Sequence, residues 1–240
     1  MVKLFKHILN ILVVAVLLLG VAEVAVGLFA LWRIFVADRF EIPSSSMFPT
    51  LQKGDWIVVD KLLFGARIYD DLHFHDGMEL RSWRTRGLRR IRRGDILVFN
   101  FPKNGGGISF KINFVYAKRC TGVPGDTLRT NYRADTIRDY GPLYVPRKGD
   151  VIRIDDMTRD RYGDIFAFEG VAPGDSLHQF AHDYYFMAGD NVRNSYDSRF
   201  WGFVPEEYIV GIVRGILYGR DPATGARDWK RSRFFKRGWP

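Results

Sequence analysis

The stretch Ile8–Trp32 limits what this chain can fold into more than any other. Ile8–Ala22 is apolar apart from Asn10 and Gly20, and Val24–Trp32 continues that character past a lone Glu23. The run is about as long as a bilayer-spanning helix needs, roughly 20 residues at ~1.5 Å each. Lys3, Lys6 and His7 precede it and favour a cytoplasmic N-terminus. A cleaved leader is the competing reading, since Ala22-Glu23-Val24-Ala25 carries small residues at suitable offsets. The apolar run continues into Gly27, Leu28 and Phe29, which favours an uncleaved anchor over residues 1–37. Glu23 then either sits protonated or near an interface, or contacts a partner helix. With the N-terminus inside, everything after about Arg33 lies on the outer face of the membrane.

The remainder of the 240 residues can hold one sizeable domain and a small extra. Its 24 glycines, and aromatics scattered through short apolar runs, predict a mostly β domain over 38–220. Strand candidates are Trp56–Lys61, Ile96–Phe101, Ile108–Arg119, Tyr184–Gly189, Trp201–Val204 and Tyr208–Leu217, separated by turns such as Gly54-Asp55 and Gly122–Asp126. Residues 65–93 read as a basic surface insertion with eight Arg against Asp70, Asp71, Asp76 and Glu79. Residues 127–184 read as a second, less regular β lobe, and 221–240 as a basic-aromatic tail.

The net charge of +9 points to a polyanionic neighbour, either nucleic acid or an anionic membrane surface. An outward-facing domain would not meet nucleic acid. The tail instead interleaves Arg227, Lys230, Arg231, Arg233, Lys236 and Arg237 with Trp229, Phe234, Phe235 and Trp239, as suits a membrane interface. A single cysteine, Cys120, excludes an internal disulfide and a cysteine-rich zinc site. His73, His75 and Asp76 alternate on a polar loop without a matching third cluster, so solvated side chains are favoured over a metal site. No metal and no cofactor is expected.

Some ten residues beyond the apolar run stands Ile42-Pro43-Ser44-Ser45-Ser46-Met47-Phe48-Pro49-Thr50-Leu51. The two prolines predict extended backbone at Ile42 and Phe48, and hence hydroxyls on a stiff segment. By composition a short serine cluster is more often a loop than a nucleophile. A nucleophile would need a base, and none of the five histidines has a suitable setting: His7 is in the leader, His73 and His75 in the insertion, His178 and His182 in a polar stretch. A Ser-Lys dyad is the alternative form of the same chemistry, provided the lysine is buried enough to lose its proton near neutrality. Lys118 follows Phe114-Val115-Tyr116-Ala117 on a strand expected to be half-buried; a solvent-facing strand-edge lysine is the plainer reading.

Four blocks in order resemble the bacterial type I signal peptidase (leader peptidase) family of membrane-bound Ser-Lys endopeptidases. They are Ile42–Leu51, Arg93–Phe99, Tyr116–Asp126, and Gly189-Asp190-Asn191 through Asn194–Arg199, closed by Trp201-Gly202-Phe203-Val204-Pro205. The resemblance implies Ser46 as nucleophile and Lys118 as general base. It also implies an oxyanion hole of the Ser44 hydroxyl with the Ser46 backbone N–H, Ser195 orienting the lysine, and Asp197 with Arg199 as a structural pair. Ser45 stands where many members have Gly and is expected to be tolerated. Val192-Arg193 replaces an Arg-Asp pair common in the family, so no salt bridge is carried over from there.

The implied substrates are secretory pre-proteins with small residues at −3 and −1. They would lie extended between Phe40–Ser44 and Asn113–Ala117, with Ile42, Pro43, Met47, Leu51, Tyr116 and Ala117 lining shallow pockets. The implied place is the bacterial cytoplasmic membrane, single-pass, with the catalytic domain on the outer face and the export machinery as a candidate partner. Two other readings remain: a Ser-Lys peptidase acting on other exported proteins, and a membrane-tethered β module that binds anionic lipid.

Overall fold

A computed structural model describes residues 2–71, 73–104, 107–111, 114–129, 142–221 and 223–235. Asn113, residues 130–141 of the second lobe, and Lys236, Arg237 and Trp239 of the tail lie outside them. The chain begins with helix α1 (Val2–Phe35), rich in Leu, Val and Ala and free of proline. From Asn10 α1 stands clear of the rest of the protein until its last turn, where the Arg33 carbonyl accepts from Lys61. A helix apolar all round and exposed along most of its length suits a hydrocarbon surrounding. Only Val36 separates α1 from the first strand, so the domain starts where the helix stops.

The protein is mostly β beyond that point. Six longer strands form its frame: β1 (Ala37–Glu41), β2 (Trp56–Asp60), β3 (Ile96–Asn100), β4 (Val115–Gly122), β5 (Tyr184–Ala188) and β6 (Ile209–Arg220). They are joined antiparallel in the order β1-β2-β6-β3-β4-β5, with Val204–Pro205 on the outer side of β5. Alternation along β2 puts Ile57 and Val59 in the core; β3 is buried from Ile96 to Phe99, as expected of a central strand covered on both faces. One apolar cluster sits under β3, β4 and β5, including Leu97, Phe99, Cys120, Met187 and Trp201. A second, with Ile42, Met47, Leu51, Ile57, Val98 and Val213, fills the side nearest β1.

Register decides where the sheet stays open. β3 pairs with β4 over Ile96↔Arg119 to Asn100↔Val115, whereas β5 reaches β4 only at Arg119, Cys120 and Gly122. The other edge of residues 115–118 therefore has no strand partner among the described residues. β1 likewise pairs on one side only, with β2.

Three expectations are corrected here. Residues 65–93 are not irregular surface throughout: they hold the hairpin Arg67–Tyr69/Ser82–Arg84, and Leu80 and Ile91 join the main core. Arg67 and Arg84 both bind Glu206, at 2.7 and 2.5 Å, which neutralises charge that could not otherwise be buried. The second lobe holds the expected short pairs, Thr127–Arg129 with Pro142–Tyr144 and Val151–Arg153 with Leu177–Gln179, but also helix α2 (Asp156–Phe168). Asp155 and Thr158 form its capping box, and Tyr162, Ile165 and Phe166 give it a buried face at helical spacing. Trp201 ends a helical turn, α3 (Ser198–Trp201), rather than starting a strand. The tail is folded back: Arg227–Asp228 and Arg233–Phe234 pair with β6, and Arg231 grips buried Asp55 at 2.7 Å.

Candidate active site

The serine segment is a tight turn pinned from below. Ile42 continues the β1–β2 pairing through its bonds with Asp55 and Gly54, and is extended as expected. Phe48 is not: its N–H bonds to the Ser45 carbonyl at 3.0 Å and Leu51 N–H to Met47 at 2.8 Å, which curls residues 45–51. Met47 and Leu51, 1% and 0% exposed, drive this by burying opposite ends of the turn in the core. Ser46, just before Met47, is itself buried, with its hydroxyl toward β4.

Lys118 comes from the middle of β4, on the face that also buries Cys120 and Gly122. Its Nζ lies 2.5 Å from Ser46 Oγ, and Ser46 is its one hydrogen-bond partner among the described residues. Burial brings the Lys118 pKa down to about 8, although the charges of Asp197 and Asp190 partly oppose the fall. A hydroxyl and an amine that is partly neutral near physiological pH thus face each other out of water. Ser44 Oγ stands 3.3 Å from Ser46 Oγ, and the Ser46 amide donates to no described group. Two hydrogen-bond donors are therefore available beside the Ser46 hydroxyl.

The loop 189–199 closes the far side. Asp197, fully buried, accepts from Ser195 Oγ at 2.7 Å, from the Gly189 amide at 2.8 Å and from Arg199 at 2.7 and 2.8 Å. Burial would raise its pKa, but those bonds, Arg199 first, outweigh burial and hold it below the ordinary carboxylate range. Ser195 thus gives its proton to Asp197 and forms no hydrogen bond with Lys118. Its link to the lysine passes through the carboxylate that it helps to fix. Gly189 leaves no room for a side chain: a Cβ there would stand 2.1 Å from Ser195 Oγ and 2.6 Å from the Ser46 carbonyl oxygen.

A shallow pocket of about 50 Å³ adjoins Ser46 and Lys118. Ile42, Pro43, Met47, Tyr116 and Ala117 line it, joined by Phe40, Ile57, Val98 and Val115. Leu51 does not: it is fully buried beneath Met47, because the turn needs an apolar pin there. The pocket lies between the open edge of β1 and that of residues 115–118.

Several supporting residues were not singled out from the sequence. Arg119 and Asp190 form a two-pronged pair at 2.7 Å, and this pair ties β4 to the loop 189–199. Asn191 donates its amide to the Ser46 carbonyl at 3.0 Å and its side chain to the Ser45 carbonyl at 3.2 Å. Asn194 reaches Ser45 Oγ at 3.0 Å, so Ser45 is held rather than merely tolerated. All of these lie inside the recognised blocks, beside residues that were assigned roles. What pointed to none of them individually was distance in sequence: the Asn194–Ser45 contact spans 149 residues.

The likeness to known proteins runs through this whole constellation. The family model described as signal peptidase, peptidase S26, matches residues 11–218. Signal peptidase I of Pseudomonas aeruginosa is 30% identical over 206 residues, covering 75% of this chain and 64% of the relative. Signal peptidase I of Aquifex aeolicus is 28% identical over 241 residues, covering 80% of each. The probable signal peptidase I-2 of a Synechocystis species is 34% identical over 179 residues, 75% of this chain and 62% of that protein. The chain thus spans less than two thirds of the Pseudomonas and Synechocystis relatives. A match that runs from the apolar helix to the last long strand takes in the turn, β4 and the loop 189–199 together, and places this chain in the signal peptidase (peptidase S26) family.

Proposed function

We propose that this protein is a membrane-anchored serine endopeptidase that removes signal peptides from exported pre-proteins, with Ser46 as nucleophile and Lys118 as general base. The observation that carries the reading is the buried 2.5 Å contact between Lys118 Nζ and Ser46 Oγ. At a pKa of about 8, roughly a tenth of the lysine is neutral at pH 7, against well under a thousandth at its ordinary value. Neutral Lys118 takes the Ser46 proton as Oγ attacks the scissile carbonyl carbon. The negative charge that forms on the carbonyl oxygen is met by the Ser44 hydroxyl and the Ser46 amide. The Lys118 ammonium, stabilised by the field of Asp197, then protonates the leaving amine, and the C–N bond breaks. Lys118, neutral again, takes a proton from water as the water oxygen attacks the acyl-Ser46 ester, and returns it to Ser46 Oγ as the ester C–O bond breaks and frees the signal peptide.

The substrate binds as an added strand between β1 and residues 115–118, giving main-chain hydrogen bonds to both open edges. The small size of the pocket beside Ser46, about 50 Å³, supports a preference for small residues at −1 and −3. The basic residues in the first turns of α1 favour a cytoplasmic N-terminus and an outward-facing domain from residue 38 on. Incubation of the detergent-solubilised protein with a pre-protein, read on a gel, tests the reading. Wild type should yield a shortened product and Ser46→Ala none; equal absence of cleavage in both would refute it.

A further inference from the structure

The eight arginines of residues 65–93 fall into two groups. Five have carboxylate partners: Arg67 and Arg84 on Glu206, Arg81 on Glu79, Arg89 on Asp95 and Arg93 on Asp126. The side chains of Arg86, Arg90 and Arg92 have no ion-pair or hydrogen-bond partner among the described residues. These three lie in one short run, and exposure alternates along it. Arg86, Leu88, Arg90 and Arg92 face water, while Arg89 turns inward and Ile91 is buried. Leu88 is 80% exposed, more than any other large apolar side chain described.

This strip is locked in place and lies close to the end of α1. At Gly87 a Cβ would fall 2.3 Å from the Phe64 carbonyl carbon, so the chain there presses flat on residues 64–65. Arg89 N–H donates to the Leu63 carbonyl at 3.0 Å. Just before Leu63, Lys61 N–H donates to the Val36 carbonyl at 2.9 Å, and its Nζ to the Arg33 carbonyl in the last turn of α1 at 2.6 Å. Leu62, 43% exposed, stands between these two sets of bonds. A continuous path of contacts therefore joins the helix end to Leu88.

One exposed leucine needs no explanation. Two of them among three uncommitted guanidinium groups, beside the end of an apolar helix, make a surface suited to a lipid boundary. Leucine side chains enter the acyl margin, and a guanidinium fork matches the paired oxygens of a phosphodiester. We propose that Leu62, Leu88, Arg86, Arg90 and Arg92 form a second membrane contact that takes the anionic phospholipid headgroups of the bilayer holding α1. The proposal rests on the membrane-anchored reading above. Such a contact restrains the tilt of the domain about its single helix and keeps the open strand edges at a set height over the bilayer.

The test uses the full chain in nanodiscs of phosphatidylcholine alone, and of phosphatidylcholine with phosphatidylglycerol, each carrying a spin-labelled quencher lipid. An environment-sensitive fluorophore is attached through Leu88→Cys, or through Leu18→Cys in α1; buried Cys120 does not compete for label. The expected result is quenching of the Leu18→Cys probe in both lipids. The Leu88→Cys probe is expected to be quenched strongly in the anionic discs. That signal falls severalfold in neutral discs, and in Arg86→Glu/Arg90→Glu/Arg92→Glu. Quenching in α1 with none at Leu88→Cys overturns the second contact and leaves the anchor standing. Quenching at Leu88→Cys that ignores both lipid charge and the arginine changes overturns headgroup recognition. No quenching at Leu18→Cys removes the anchor, and the proposal with it.

Discussion

Lys118 Nζ and Ser46 Oγ, 72 residues apart in the chain, meet at 2.5 Å with both side chains buried. In the proposed mechanism the pair works only when the lysine is neutral, so its pKa of about 8 sets the pH dependence. Because burial lowers the value, the active form gains with rising pH. The rate constant kcat/KM should climb about tenfold per pH unit below pH 7 and level off above about 8 to 9. Lys118→Arg should be inactive throughout, since guanidinium keeps its proton. A profile flat from pH 6 to 9 would show that Lys118 is not the base.

In the proposed mechanism Ser44 Oγ, 3.3 Å from Ser46 Oγ, bonds the oxyanion and not the ground-state substrate. Ser44→Ala should therefore lower kcat by about 10²–10³ and leave KM nearly unchanged. Steady-state kinetics on a peptide substrate reads the split. A rise in KM at constant kcat would move Ser44 from the oxyanion to substrate binding.

The 3.0 Å bond from Asn194 to Ser45 Oγ holds the turn that carries the nucleophile. A neutral hydrogen bond at the surface contributes about 0.5–1 kcal/mol, so Ser45→Ala should slow turnover roughly two- to fivefold. Asn194→Ala should do the same, and the double variant should be no slower than either alone. Additive losses in that cycle would mean that the two residues act separately.

Gly189 packs against both Ser195 and the Ser46 carbonyl, and a methyl group would overlap them. Gly189→Ala should push the loop 189–199 off the turn at a cost of about 1–3 kcal/mol in stability. Activity should fall much further than the melting temperature suggests, because the lysine loses its seat. Wild-type turnover in Gly189→Ala would show that the loop can yield without disturbing the dyad.

Glu206 holds the guanidinium groups of Arg67 and Arg84 against the core. Burial opposes its ionised form, yet the two arginines keep its pKa below the ordinary glutamate range. Glu206→Ala leaves two buried cations without a counter-charge and should cost about 3–5 kcal/mol. Thermal unfolding in detergent measures the loss, and a melting temperature within a degree or two of wild type would contradict it. By the same linkage, this contribution is present above the ordinary glutamate pKa and is lost as pH falls through the depressed one.

The elements that could be read in advance are those with local causes. An apolar run of bilayer length, the β-branched alternation of Trp56–Asp60, and the four ordered blocks all carry their signal within a few neighbours. Helix α2 was legible in principle, through Asp155 and Thr158 at capping spacing and Tyr162, Ile165 and Phe166 on one face, but polar residues around it masked the period. Within the insertion the burial of Arg67 was not legible, because charge ordinarily marks exposure. Arg67 is buried only because Glu206, 139 residues away, comes to meet it.

Sequence by itself determined the apolar anchor and, through the resemblance its ordered blocks carry, the peptidase family and which serine and lysine to consider together, since residue type and short motifs are local properties. Tertiary structure alone decided how far burial takes the Lys118 pKa down, that Ser195 gives its proton to Asp197, and that Leu51 is a pin rather than a pocket wall. It also left the edge of residues 115–118 open by ending β5 early. Each of these depends on desolvation, register or contact between segments far apart in the chain. Such quantities arise only when the whole sheet has closed around them.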